Sequence, residues 1–336
     1  MPCGSGLKRG LRIRAERGGT RCSLPHRPAR LRPSEPTRAG TRSASRRAPR
    51  ARRTPYRLAA MKKAGNDDAL FERKGTETRD DAETLEIHCT PYAGGPWNPV
   101  HQHGGAVSAL VAYAVDRMPS PVPMRLARFS VDMFRGVPLT PLRVETRIIR
   151  GGRRIQGLET TIYDGDTPVT RATALRVRTT DALTELEAPI DSAEDLGAPP
   201  EVVPEFEMRS GFGRIPPFVM ACDLVPGHAA VCGEPSSTWA RLRARVVAGE
   251  ETTPVVGLAA VVDFASGTGN AMDYERYTSI NPDLSVHIVR EPCSDWIGLR
   301  GVTTRSADGI GLSSATINDA EGVIGRANAT LLLDRR

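Results

Sequence analysis

The chain repeats itself, and this constrains its fold more than any other feature. Arg125–Val177 can be laid on Ile280–Leu332 at a constant offset with no gap. Phe129-Ser130-Val131-Asp132-Met133-Phe134-Arg135 meets Leu284-Ser285-Val286-His287-Ile288-Val289-Arg290. Further on, Thr161-Ile162-Tyr163-Asp164 meets Thr316-Ile317-Asn318-Asp319, and Arg171-Ala172-Thr173-Ala174 meets Arg326-Ala327-Asn328-Ala329. Apolar positions between the identities also agree, Leu142 with Ile297 and Val169 with Ile324. Alternation kept in phase over about fifty residues is not supplied by chance. It implies one β-rich unit used twice.

A chain of 336 residues is long enough for two such units, each with its own core. The charge is unevenly spread. The first sixty residues carry a net +15 against +7 for the whole chain, which leaves −8 on residues 61–336. That leader is rich in Arg, Pro, Gly and Ser and poor in large apolar residues, so its composition predicts disorder. It reads as a basic leader or as a mis-assigned start, with Met61 as the true beginning. Its Arg pairs are not followed by an apolar stretch, which argues against a twin-arginine export signal. No apolar run is long enough to span a bilayer. The six cysteines form no C-x-x-C pair, which suits reduced thiols in a cytoplasmic protein.

Hydrophobic periodicity predicts the elements. Thr84–Cys89 alternates as a first strand after a polar lead-in. Ala106–Met118 is apolar on most faces and reads as a buried helix, ended by Pro119. Arg125–Arg135, Leu142–Arg150, Gln156–Tyr163 and Val169–Arg178 read as a meander. The acidic, Pro-rich stretch 181–203 reads as a linker. In the second unit Ser237–Val247 is a strand and Pro254–Asp263 a helix. The strands Leu284–Val289, Ile297–Thr303, Leu312–Ile317 and Gly325–Leu333 follow. This predicts an α+β fold, a tandem (double) hot-dog in which each unit is a curved antiparallel sheet wrapped around a long buried helix. Its domains span 80–180 and 204–335.

Several chemistries are argued against by residue pattern. His103-Gly104-Gly105 resembles an oxyanion motif, but the G-x-S-x-G of a nucleophile elbow is absent. There is no P-loop and no G-x-G-x-x-G. His101 and His103 have no obvious third ligand, so no metal and no cofactor are expected. What remains is a small set of candidates. Gly104 and Gly105 open the first helix, where free N–H groups polarise a carbonyl or bind an anion, or where glycine only allows tight packing. Asp263 ends an apolar run, where a carboxylate needs partners or a task, or caps a turn. Asn281 stands where the first repeat has Leu126; it reaches toward Asp263 or forms an Asn-Pro turn.

These segments, in their order and duplication, resemble the double hot-dog acyl-CoA thioesterases of the thioesterase II type. The resemblance is carried by His103-Gly104-Gly105, Arg125–Arg135, Arg154-Ile155-Gln156, Val261-Val262-Asp263, and Asn281 to His287 with Trp296. It covers about residues 80–335. It implies a polar trio: an Asp at the second helix, a Thr or equivalent before the next strand, and a Gln on the last strand. These fall on Asp263, on Asn281, and near Asn328–Thr330. No Gln is present there, so Thr330 or Asn328 takes its place. The resemblance thus implies hydrolysis of fatty acyl-CoA to free acid and CoA by water activated at Asp263, with Asn281 and Thr330 assisting. His103, Gly104, Gly105 and Asn328 would bind substrate, the Gly105 N–H polarising the thioester carbonyl. The acyl chain would lie along the buried helix. The implied partner is acyl-CoA, with no nucleic acid and no membrane span, in a homo-oligomer. The missing Gln favours an alternative, a non-catalytic acyl-CoA-binding or assembly protein. A hydratase on a related scaffold would need an Asp and His pair near one helix, and the sequence shows none.

Overall fold

Thirteen residues, GGAVSALVAYAVD, form the central helix α1 (Gly104–Asp116). They contain no Pro after the start and are apolar almost all round, so the helix is stable only if every face is covered. All eleven residues from Gly105 to Val115 are buried. His103 occupies the N-cap position at its start. At its end the Arg176 guanidinium donates to the carbonyls of Val115 and Met118; Val115 also accepts the Met118 N–H, whereas the Met118 carbonyl relies on Arg176. Residues 61–180, 196–203, 215–227 and 230–336 are described by the structure, a computed structural model. The leader lies outside them, as does most of the predicted linker (181–195); residues 196–203 contain no helix or strand.

The first half supplies β1 (Ala69–Arg79), β2 (Ala82–Cys89), β3 (Met124–Met133), β4 (Leu142–Arg150), β5 (Ile155–Asp164) and β6 (Thr167–Arg178). A four-residue helix α2 (Pro217–Met220) leads into β7 (Cys222–Pro226), β8 (Ser236–Leu242) and β9 (Arg245–Val247). Helix α3 (Pro254–Val261) passes into a 3₁₀ turn at Val262–Ser266. Last come β10 (Tyr277–Ile280), β11 (Asp283–Ile288), β12 (Ile297–Arg305), β13 (Ile310–Asp319) and β14 (Gly322–Arg335).

One sheet runs β7-β8-β12-β13-β14-β11-β3-β6-β5-β4-β2-β1-β9, with β10 also on β14. The two repeats meet at β3 and β11, which pair antiparallel. There Ser130 faces Ser285, and their hydroxyls bond at 3.0 Å. These two residues are equivalent in the repeat, so an approximate two-fold axis passes between them. Helices α1 and α3 pack antiparallel: Gly105 sits so close to Ala260 that an added Cβ would fall 2.2 Å from the Ala260 carbonyl oxygen. At the other end Thr253 donates to Asp116 at 3.1 Å.

The structure differs from the sequence reading in four places. The polar lead-in is strand β1, missed because only its first three residues are buried and no alternation follows. Expected boundaries at residue 80 therefore start too late. Ser237–Val247 is two strands, not one: β8 pairs with β7 and β12, while β9 crosses to pair parallel with β1. The second helix is not long; it spans eight residues before tightening into the 3₁₀ turn. Strands β7 and β10 are short and carry too few residues to show a period.

Candidate active site

The 3₁₀ turn after α3 carries Asp263 inward, 3% exposed, against the first turn of α1. His103 Nδ1 lies 3.0 Å from Asp263 Oδ2, and the Asn281 amide donates to Oδ1 at 2.8 Å. The Gly105 N–H is 3.0 Å from the same His103 nitrogen. A lone pair on Nδ1 would repel the carboxylate, so the proton belongs on Nδ1 and the Gly105 N–H is left to serve the carboxylate. His103 is held flat by Phe218, with ring centroids 4.4 Å apart, and by Phe264 at 5.3 Å.

Burial opposes ionisation of Asp263. The hydrogen bond and charge of His103, the Asn281 amide and the Gly105 N–H outweigh it and hold the carboxyl below its usual value. Gly104 is required by space: a Cβ there would fall 2.7 Å from Asp263 Oδ1. Both glycines therefore permit close packing, and packing of α1 on Asp263 is what builds the site. The Gly105 N–H is already engaged, so it is not the free carbonyl donor the sequence suggested. The first helical N–H, that of Gly104, has no partner among the described residues.

Asn281 is placed by a defect in the sheet. β10 and β11 both pair with β14, but Ile280 faces Leu332 while Ser285 faces Asn328, a slip of one residue across Asn281-Pro282. The slip turns Ser279 and Asn281 to the same inner side as Leu284 and Val286. Asp283 steadies it by accepting the Thr330 N–H at 2.7 Å. The first repeat has the equivalent irregularity between Leu126 and Arg128.

Asn328 and Thr330 are not brought to Asp263. Along β14 from Arg326 to Leu332 the even positions face outward and the odd positions, Ala327, Ala329 and Leu331, face the core. The period of two puts both polar side chains on the outer face. Asn328 accepts from Ser314 there at 2.8 Å. Thr330 contributes its backbone to the slip that positions Asn281.

Asp263, His103, Gly104 and Asn281 line a cavity of about 630 Å³. Its walls are mainly apolar, with Trp97, Val107, Met133, Leu224, Phe264 and Tyr274 among them. Gln102 also lines it; its amide donates to Pro138 O at 2.9 Å and its buried Oε1 has no partner. Sequence reasoning missed Gln102 and the His103–Asp263 pair. The pair is separated by 160 residues, so only the fold joins them. A signal was present in the H-Q-H-G-G run at the helix start. Of α1, Gly104 and Val107 line this cavity. Among the described residues no three His, Cys, Asp or Glu cluster to hold a metal, and no helix is long and apolar enough to cross a membrane.

The family model for the acyl-CoA thioesterase N-terminal domain matches residues 93–177, and that for the C-terminal domain matches residues 193–333. The chain belongs to the acyl-CoA thioesterase family. No curated protein matches it. Among solved structures it is similar to a conserved protein of unknown function with a hot-dog fold from Alicyclobacillus acidocaldarius (15% identity, TM-score 0.60, covering 80% of this chain and 97% of that one). It is also similar to the tesB protein of Mycobacterium avium subsp. paratuberculosis (17%, TM-score 0.56, 77% and 96%). A third likeness is to the acyl-CoA thioesterase II TesB2 of Mycobacterium marinum (12%, TM-score 0.55, 78% and 95%). These likenesses establish a hot-dog fold for this thioesterase family member.

Proposed function

We propose that this protein hydrolyses acyl-CoA thioesters on a tandem hot-dog scaffold, with Asp263 as the residue that activates water. The observation that carries the reading is a fully buried, ionised carboxylate on the wall of an apolar cavity, held by His103 and Asn281. Buried charge so well partnered is positioned for chemistry. A carboxylate held below its usual value is a weak free base, so it acts on water already in place. The water oxygen bonds to the thioester carbon, its proton passes to Asp263, and the C–S bond breaks. The CoA thiolate then recovers the proton. Asn281 orients Asp263 and the water beside it. His103 keeps Asp263 ionised and in register. The Gly104 N–H, at the positive end of α1, faces the charge that develops on the carbonyl oxygen.

Thiol release from short-, medium- and long-chain acyl-CoAs, by the parent and by Asp263→Asn, tests this. Turnover by the parent, lost in a variant that still binds acyl-CoA, supports it. A folded parent that releases no thiol refutes it. The lack of the family's Gln near Asn328–Thr330, where the inward residue is Ala329, favours a second reading: acyl-CoA binding without hydrolysis. Binding with no release would establish that one. The His103–Asp263 pair is the kind a hydratase uses, and loss of enoyl-CoA absorbance without thiol release would reveal it.

A further inference from the structure

The depth of the cavity limits the acyl group that enters it, an inference that rests on the thioester reading. Gly104 and Val107 are the α1 residues on its wall, and Met133 is the residue of β3 facing them. One step deeper, Leu110 and Val111 on α1 and Phe129 and Val131 on β3 are fully buried in the core and lie off the wall. On this side the wall of the cavity therefore ends at Val107 on α1 and at Met133 on β3. One helical turn rises about 5.4 Å. With carbon–carbon bonds of about 1.5 Å, that depth holds roughly four carbons of an extended chain.

We propose that the site selects a short acyl group and that Val107 and Met133 form the floor that sets its length. The same cavity is also lined by Val219, Leu224 and Phe264, which offer the chain a rival path. Where the chain goes decides which residues control length. Trimming the floor should lengthen the preferred chain. Trimming Leu224 should not.

The test is calorimetric binding of free CoA and of acetyl-, butanoyl-, hexanoyl-, octanoyl- and hexadecanoyl-CoA to the full chain, with thiol release measured in parallel. Parent affinity is expected to rise to about butanoyl and fall beyond it. Val107→Ala should raise the ratio of hexanoyl to butanoyl affinity about tenfold, the discrimination available from one or two methylenes. Met133→Ala should move it the same way, and being half-buried it guards against a Val107 variant that does not fold. Affinity that keeps rising to hexadecanoyl overturns the proposal, as does a ratio that moves with Leu224→Ala and not with Val107→Ala or Met133→Ala. A parent that binds no acyl-CoA better than CoA overturns it as well. The predicted binding profile without thiol release leaves the length inference standing and removes hydrolysis.

Discussion

Replacing Asn281 by leucine isolates what the second repeat gained. Leucine is the residue at the equivalent irregularity of the first repeat, Leu126, so the backbone accepts it. Leucine and asparagine are similar in shape, so the change mainly deletes the amide. What is lost is a hydrogen bond of 2.8 Å to a buried carboxylate. A hydrogen bond to a charged group contributes about 1.5–3 kcal/mol. If all of it acts in the transition state, kcat/KM falls about 10- to 150-fold. The pH dependence moves too. Asn281 is one of the groups that favour ionised Asp263. Removing it raises the carboxyl toward its ordinary value, so the acidic limb of kcat/KM moves to higher pH. The assay is thiol release against pH for parent, Asn281→Leu and Asn281→Thr, the last returning a hydroxyl donor. Partial recovery with threonine is expected. An acidic limb that stays in place, with kcat/KM equal to the parent's, would refute the role given to Asn281.

Four further changes probe the site's frame and the fold that carries it. Gly105→Ala would put a methyl 2.2 Å from the Ala260 carbonyl oxygen and should cost about 1–3 kcal/mol or more in urea unfolding. Gly104→Ala, directed at Asp263, should lose activity out of proportion to stability. Arg176→Met strips the Met118 carbonyl of its donor and the Val115 carbonyl of one of its donors; a loss of about 1.5–3 kcal/mol is expected, read from the urea midpoint. Burial opposes ionisation of Asp319, but Arg290 and the N–H groups of Cys293 and Glu321 outweigh it and hold the carboxyl low. Its stabilising effect is therefore complete above the unfolded value of about 3.9 and is lost as pH falls through the lower folded value. Asp319→Asn should flatten the acid side of the stability curve; a variant retaining the parent's acid slope would contradict this.

Much of the architecture was legible because the strands of the repeat alternate over their whole length. Leu142–Arg150 appears in the structure with the bounds read from the sequence. The meander was found for the same reason, and α1 because it is apolar on most faces. Strand β9 was not, because three residues have no period and its partner β1 lies more than 160 residues away in the chain. The site was half legible. Asp263 stood out as a charge ending an apolar run, and Asn281 as a departure from its repeat mate. Thr330 and Asn328 were misplaced by one residue of register, which in a strand moves a side chain to the opposite face. The H-Q-H-G-G run marks only one partner of the His103–Asp263 contact; the other lies 160 residues on and is brought to it by the antiparallel packing of α1 and α3.

The serine pair at the seam, Ser130 with Ser285, has a consequence for how such a site can arise. In a symmetric dimer of single units, any substitution occurs twice. An asparagine at the sheet slip would then also replace Leu126, where no acidic partner awaits it. The counterpart of Asp263 near the far end of α1, Asp116, is exposed to solvent rather than enclosed. Joining the two units in one polypeptide lets each side mutate alone. One half can bury an ionised group with its donors while the other keeps a greasy wall, and the desolvation cost falls on a single copy.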